Sequence, residues 1–202
     1  MKLSKLVSKK LLIAAALFVA VLALAIIVSR PAHNTPLAIK PPAAKPIIPA
    51  KTIAGVPVRL RIPEIGVDAA VDQMGLTASG YMQAPTGPKT VGWYKFGTDP
   101  GNAGSAVIDG HYGTWKDGEG SVFDNLNKLQ KNDKLYVEDT NGMVITFAVR
   151  QYQIYTPEET VPAIFNSNDG KAHLNLITCE GTWNNAQKSY SNRLVIFADQ
   201  EI

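Results

Sequence analysis

The sequence predicts a mainly β domain, a closed or nearly closed barrel of seven or eight short strands with one or two short helices, behind a single N-terminal transmembrane helix. Three observations predict it. An uncharged apolar run of 18 residues, Leu11 to Val28, follows Lys2, Lys5, Lys9 and Lys10. A stretch rich in Pro, Ala and Lys comes next. From Val56 onward, short apolar or alternating runs are separated by turn residues, without an internal repeat.

At about 1.5 Å per residue the apolar run spans roughly 27 Å as a helix, close to the thickness of a bilayer core. The basic cluster before it predicts a cytoplasmic N-terminus, residues 1–10, a membrane span over 11–28, and an extracytoplasmic remainder. A cleaved signal peptide is the competing reading. Its apolar run is usually shorter, and no small-x-small site follows Val28. Residues 29–55 contain Pro31, Pro36, Pro41, Pro42, Pro46 and Pro49, which exclude helix and central strand. They read as an extended spacer between membrane and domain. Residues 1–55 hold eight Lys/Arg and no acid, whereas residues 56–202 hold 12 Lys/Arg against 17 Asp/Glu. The net charge of +3 therefore belongs to the N-terminal segment. It does not describe a basic nucleic-acid surface on the domain, so no nucleic-acid partner is expected. The expected membrane partner is lipid, through residues 11–28.

Within 56–202, Val58, Leu60 and Ile62 alternate with Arg59 and Arg61 as a half-buried strand. Pro63 and Gly66 bound a turn before a second strand, Val67 to Met74. Met82 to Lys89 is loop. Val91 to Phe96 and Ser105 to His111 are strands divided by Asp99-Pro-Gly-Asn102. Ser121 caps a short helical turn that uses Phe123, Leu126 and Leu129. Lys134 to Glu138 and Met143 to Tyr155 form a hairpin around Asn141-Gly142. Thr156-Pro157-Glu158-Glu159 carries an N-cap, Pro at the first helical position and following acids, so a short helix is expected to about Phe165. Leu174 to Cys179, ending abruptly before Gly181 and two asparagines, and Leu194 to Ala198 are the last strands.

Cys179 is the only cysteine and cannot form an internal disulfide. Outside the cytosol an odd cysteine points to intermolecular pairing or a free reactive thiol. A reactive thiol needs a base or cationic neighbour, because the thiolate is the nucleophile. His33 lies in the spacer. His173 is six strand residues away, about 20 Å, too far to act on Cys179. His111 ends one strand as Cys179 ends another, so the two can meet at one rim of a barrel. Acyl transfer also needs donors where the oxyanion develops, and Arg193 at the start of an apolar strand is a candidate.

The order Gly110-His111, then Leu176-Ile177-Thr178-Cys179, then Arg193-Leu194-Val195-Ile196-Phe197 strongly resembles the sortase family, extracellular cysteine transpeptidases of Gram-positive and related bacteria. The resemblance covers about Val56 to Ile202, and the basic anchor and linker agree with it. It implies a closed eight-stranded sortase-type barrel and a Cys-His-Arg site. Cys179 would attack the Thr-Gly bond of a sorting signal similar to Leu-Pro-x-Thr-Gly. His111 would protonate the departing amine and deprotonate the incoming one. Arg193 would hold substrate and oxyanion, with the backbone N–H of Glu180 as second donor and Thr178 and Ile177 beside the nucleophile. The implied partners are surface proteins bearing a C-terminal sorting signal and an amine acceptor, either a peptidoglycan precursor or a pilin-type lysine. The implied location is the cell membrane.

Other residues carry weaker expectations. Val161, Pro162, Ala163 and Ile164 fall in the segment that covers the apolar part of the sorting motif in the family. Trp115 and Trp183, each four residues after a candidate catalytic residue, are groove walls or loop anchors. Asp109, two residues before His111, reads as a supporting residue rather than the third member of a triad. Glu180 is expected to point to solvent, because an inward charge would raise the thiol pKa. No cofactor is expected; some sortases bind Ca²⁺, but the acids here are too scattered to form an oxygen cage. The alternatives are a cysteine hydrolase with the same Cys/His/Arg site and a non-catalytic anchored β-barrel binding module. An L,D-transpeptidase is disfavoured because its Ser-x-Gly-Cys context is absent.

Overall fold

The structure, a computed structural model, describes residues 55–115 and 117–201. The expected membrane span and almost all of the spacer lie outside the described residues. Among those described, no helix is long and apolar enough to cross a membrane.

Eight strands close into a barrel. They are β1 (Pro57–Ile62), β2 (Val67–Met74), β3 (Val91–Tyr94), β4 (Gly104–Gly110), β5 (Lys134–Asp139), β6 (Val144–Tyr155), β7 (Ala172–Asn184) and β8 (Ser189–Gln200). Their order around the barrel is β1-β2-β3-β4-β7-β8-β6-β5. The β2/β3 and β4/β7 pairs are parallel and the rest antiparallel. The expected strands thus all form, most within two residues of the expected ends. Asn141-Gly142 does make the β5–β6 turn: Gly142 has φ 77°, and the Asp139 carboxylate accepts the N–H groups of Asn141 and Met143.

The interior is filled by inward positions of every strand, including Leu60, Ile108, Leu174, Leu176, Leu194 and Ile196. Phe123, Leu126 and Leu129 plug it from the β4–β5 connection, as their spacing predicts. Ser121 does not cap that turn with its side chain. Its hydroxyl donates to the carbonyl of Gly113, while the Asp124 carboxylate accepts the N–H groups of Ser121 and Gly113. Among the described residues, helix content is limited to three single 3-10 turns, Pro63–Ile65, Leu126–Lys128 and Pro162–Ile164.

Two expectations fail here. The helix from Thr156 to Phe165 does not form. The capping signals close one turn, with Glu159 N–H on the Thr156 carbonyl at 3.2 Å and Thr156 N–H on the Glu159 carboxylate at 3.4 Å. Pro162 then lacks the N–H that a continuing α-helix needs there, and the chain stays in loop until the 3-10 turn. The second failure concerns the end of the cysteine strand. β7 does not stop at Cys179 but runs on to Asn184 and pairs with β8 as far as Asn184↔Ser189. A bulge between Glu180 and Trp183 absorbs Gly181, whose φ of 86° suits glycine. What reads as a loop start is a glycine bulge inside a hairpin.

β4, β7 and β8 are buried on both faces. Val107, Ile177, Val195 and Phe197 point out of the barrel, where they pack with Met82, Tyr94, Ile164 and Phe165. The β6–β7 connection therefore forms a second layer over this part of the wall, which explains why these strands read as nearly continuous apolar runs.

Candidate active site

Strand alternation places Cys179, Arg193 and Asp109 on that same outer face, because their neighbours Thr178, Leu194 and Ile108 belong to the buried inward rows. Cys179 and Arg193 are directly paired across β7 and β8. They stand at a rim: the β4/β7 ladder ends at Asp109↔Ile177, and the β6/β8 ladder ends at Tyr155↔Arg193. Beyond this level only the β7–β8 hairpin continues. The thiol is thus half-buried at the top of an apolar belt made by Val107, Ile177 and Val195.

His111 follows the last residue of β4. Its Nε2 lies 2.8 Å from the carbonyl of Pro85, which can only accept, so Nε2 carries the proton and Nδ1 is left as the exchangeable nitrogen. The ring rests on Trp115 with centroids 4.8 Å apart. The carbonyl of His111 accepts the N–H of Phe123 at 3.0 Å. Thr178, expected to wall the nucleophile, instead faces the interior and donates its hydroxyl to the Gly110 carbonyl at 2.7 Å. This bond ties the residue before His111 to the residue before Cys179.

Arg193 is almost fully buried. Its Nη1 donates to the carbonyls of Tyr190 and Asn192, and its Nη2 to the hydroxyl of Ser189. These contacts turn the guanidinium along the hairpin beside Cys179. Burial pushes the Cys179 thiol pKa up; Arg193 pulls it down, and Asp109 pushes it further up. Burial is the largest of these effects, so the balance favours the neutral thiol.

Glu180 does not simply point to solvent. One carboxyl oxygen accepts from Nδ2 of Asn127 at 3.4 Å, and the other is shielded with no hydrogen-bond partner. Ile164 is wholly buried on the apolar belt, and Val161 packs beside it. The carbonyl of Ile164 accepts Nδ2 of the buried Asn175 at 2.6 Å, which pins the connection onto β7. Ala163 is exposed and lines a different pocket with Asp169, His173 and Asn175, at the far end of β7. His173 bonds there to Asp199 and Asp169, well away from Cys179.

Tyr190 and Tyr112 were not singled out by the sequence. Tyr190 packs edge-on against Tyr112 and against Trp183, which is 45% exposed. The Tyr190 hydroxyl fits only because Gly113 has no side chain: a Cβ there would lie 1.9 Å from it. Burial and then the adjacent Cys179 push the Tyr190 phenol up. Tyr190 comes into place because the β7–β8 hairpin continues past Cys179, which pairs it with Trp183.

Among the described residues, no group of three or more His, Cys, Asp or Glu is arranged to hold a metal ion. A half-buried thiol cross-strand from an arginine, at the strand end beside that of a histidine and above an apolar belt, suits covalent acyl transfer to an extended peptide.

Comparison with known proteins agrees with this chemistry. A sortase C-1 from Actinomyces oris superposes with a TM-score of 0.56 at 26% identity, over 72% of this chain and 73% of its own. A lid mutant of sortase A from Corynebacterium diphtheriae gives 0.57 at 23% identity, over 75% and 73%. A Clostridium perfringens sortase D5 transpeptidase gives 0.53 at 20%, over 73% and 79%. The last two carry the fold alone. Among curated proteins no sequence matches. The family model described as Sortase domain matches residues 60–201. The chain belongs to the sortase family, a family of cysteine transpeptidases.

Proposed function

We propose that the protein cleaves a sorting signal similar to Leu-Pro-x-Thr-Gly and transfers the acyl part to an amine. The observation that carries this reading is the cross-strand pair Cys179–Arg193 at the head of the apolar belt. Cys179 attacks the threonine carbonyl, and its proton passes to Nδ1 of His111 and on to the departing amine. The thioester forms as the peptide bond breaks. Arg193 and the backbone N–H of Glu180 stabilise the oxyanion. An incoming amine gives a proton to His111, attacks the thioester and returns Cys179 to its thiol. The belt roofed by Ile164 and flanked by Val161 accepts the apolar residues of the signal. Trp115 holds the His111 ring, and Trp183 walls the hairpin side. The substrates in this reading are surface proteins with a C-terminal sorting signal. The acceptor is a peptidoglycan precursor or a pilin-type lysine. Residues 11–28 anchor the chain once in the cell membrane, N-terminus inside and domain outside.

Incubating the full chain with a sorting-motif peptide and candidate amines, followed by mass spectrometry, tests the reading. Amine-dependent ligation supports it, and Cys179→Ala abolishes the product. Hydrolysis alone, whatever amine is supplied, would establish the hydrolase instead. A thiol that resists thiol-directed reagents until the protein is denatured would count against both.

A further inference from the structure

The apolar belt below Cys179 ends in a polar cavity that the mechanism above does not use. Strand register fixes where it lies. On β7 the residues that face outward with Cys179 are Ile177, Asn175 and His173, at steps of roughly 7 Å. Directly paired residues share a face of the sheet, so Val195 of β8 stands level with Ile177, while Val107 of β4 and Phe197 of β8 stand level with Asn175. The belt therefore reaches to Asn175, about 13 Å from the thiol. One step further come His173, Ser105 of β4 and Asp199 of β8, and the face turns polar.

A cavity of about 240 Å³ opens at this end. Ser105, His173, Asn175 and Phe197 line it from the barrel wall, with Gln151 and Gln153 of β6 on one side. Ala163, Asn166 and Ser167 of the β6–β7 connection line the other. Gln151, Gln153 and Asn166 are exposed, so the mouth is open to solvent. Phe197 belongs to both belt and cavity, and Ala163 is the neighbour of Ile164, which roofs the belt. Belt and cavity are thus consecutive stretches of one outer face. The charged groups here already engage one another. Asp169 accepts from His173, from the hydroxyl of Ser167 and from the N–H of Lys171. Arg150 stands 3.5 Å from Asp199. What remains toward the cavity is uncharged: the amides of Gln151 and Asn166, and the hydroxyl of Ser105, which is 2% exposed and has no partner among the described residues. The volume falls below the roughly 300–1,000 Å³ of a site for a free drug-sized ligand, so it suits part of a longer one.

We propose that this cavity is an upstream subsite: it takes the residues that precede the leucine of a Leu-Pro-x-Thr-Gly-like signal and favours uncharged polar side chains there. The inference rests on the reading of the protein as a transpeptidase of such a signal. With the threonine carbonyl at Cys179, the four residues Leu-Pro-x-Thr extend at most roughly 13 Å, which is the length of belt between the thiol and Asn175. The residue before the leucine then arrives level with Asn175, and the one before that level with Ser105 and His173. There the peptide leaves an apolar surface, and its N–H and C=O groups meet amides and a hydroxyl. A charged upstream residue loses hydration without gaining a partner, because Asp169 and Arg150 are already engaged. A large apolar one covers polar groups that then lose water. The belt recognises the motif, and the cavity reads what comes before it.

The test compares N-terminally capped peptides on the full chain: the motif alone, and the motif preceded by Ser-Gln, Glu-Glu or Leu-Leu. Transpeptidation gives kcat/KM for each, and titration calorimetry on Cys179→Ala gives binding without turnover. Ser-Gln should raise kcat/KM about fivefold over the capped motif, through KM, the worth of about one hydrogen bond. Glu-Glu and Leu-Leu should stay near the capped motif. Gln151→Trp fills the cavity from β6 and should bring the Ser-Gln advantage close to one, with the same variant's rate on the capped motif as its reference. Ser105→Ala should reduce the advantage without filling the cavity, and it decides the matter if thermal unfolding shows Gln151→Trp to be misfolded. Equal rates and equal binding for all four peptides in the unfilled cavity overturn the inference, as does a Ser-Gln advantage that a folded Gln151→Trp or Ser105→Ala leaves intact. If no peptide is processed and none binds, the transpeptidase reading itself fails and takes the subsite with it.

Discussion

The hydroxyl of Thr178 donates to the carbonyl of Gly110 at 2.7 Å, and this bond lies inside the barrel, on the opposite side of the wall from Cys179. The β4/β7 ladder has already ended one residue earlier, at Asp109↔Ile177. The side-chain bond therefore continues the attachment of two strands past their last backbone pair. His111 and Cys179 are the next residue on each. Thr178→Val keeps the shape and leaves the Gly110 carbonyl buried without its donor. The expected cost is about 1–3 kcal/mol in stability. Loss of register between the two strand ends should lower kcat/KM by about tenfold to a hundredfold. Thr178→Ser, which keeps the hydroxyl, should stay close to wild type in both thermal unfolding and peptide transpeptidation.

Gly110 is glycine for space rather than for backbone freedom. A Cβ there would lie 2.5 Å from Cδ2 and 2.7 Å from Cε2 of Phe123, and 2.8 Å from Cγ1 of Val122. Phe123 is a wholly buried plug of the barrel and cannot swing away. Gly110→Ala should destabilise by about 1–3 kcal/mol through overpacking. Urea unfolding measures it, and adding Phe123→Leu should recover part of the loss.

Arg193 favours the thiolate of Cys179, so a neutral replacement raises the thiol pKa above its already elevated value. For Arg193→Gln the alkylation profile of Cys179 should move to higher pH, with slower labelling at neutral pH. Arg193→Lys should move it less, because the charge remains while the fixed plane of donors is lost. A shift of Arg193→Gln to lower pH would contradict the electrostatic arrangement at the rim.

The far end of β7 has its own pH dependence. The Asp169 carboxyl is held well below the usual carboxylate range, first by its hydrogen bond from His173, then by the N–H of Lys171 and the hydroxyl of Ser167. A depressed carboxylate stabilises the fold above its unfolded pKa, about 3.9, and loses that contribution as pH falls further. Wild type should therefore lose thermal stability below about pH 5, and Asp169→Asn should show a shallower acid slope. Equal slopes in the two proteins would mean that the bond to His173 adds nothing in solution.

Much of this was legible along the chain. The strand pattern is a local property, set by alternation and by turn residues, and Val67 to Met74 and Asn141-Gly142 appear where they are expected. Cys179, His111 and Arg193 were picked out by residue type and order. The helix at Thr156 was misread because its capping signals are also local, and they do close one turn. Pro162, six residues on, prevents a longer one.

The face on which each residue acts was not legible. Thr178 and Cys179 are neighbours in sequence, yet one faces the interior and bonds Gly110 while the other faces the outer belt. Asp109 and Tyr190 come beside the thiol only because β4 pairs with β7 and because the β7–β8 hairpin continues past the rim. Ile164 falls in a segment expected over the site, but its seat on Val107, Ile177 and Val195 follows from the packing of the β6–β7 connection.

By itself the sequence determined the strands, their turns and the three candidate reactive residues, because propensity, periodicity and side-chain chemistry are carried by short stretches of chain. Only the tertiary structure decided that Cys179 is paired with Arg193, shares a face with Asp109 and is tied through Thr178 to the strand of His111. Those relations depend on register between segments that lie tens of residues apart, and a shift of one residue would turn every side chain to the other face.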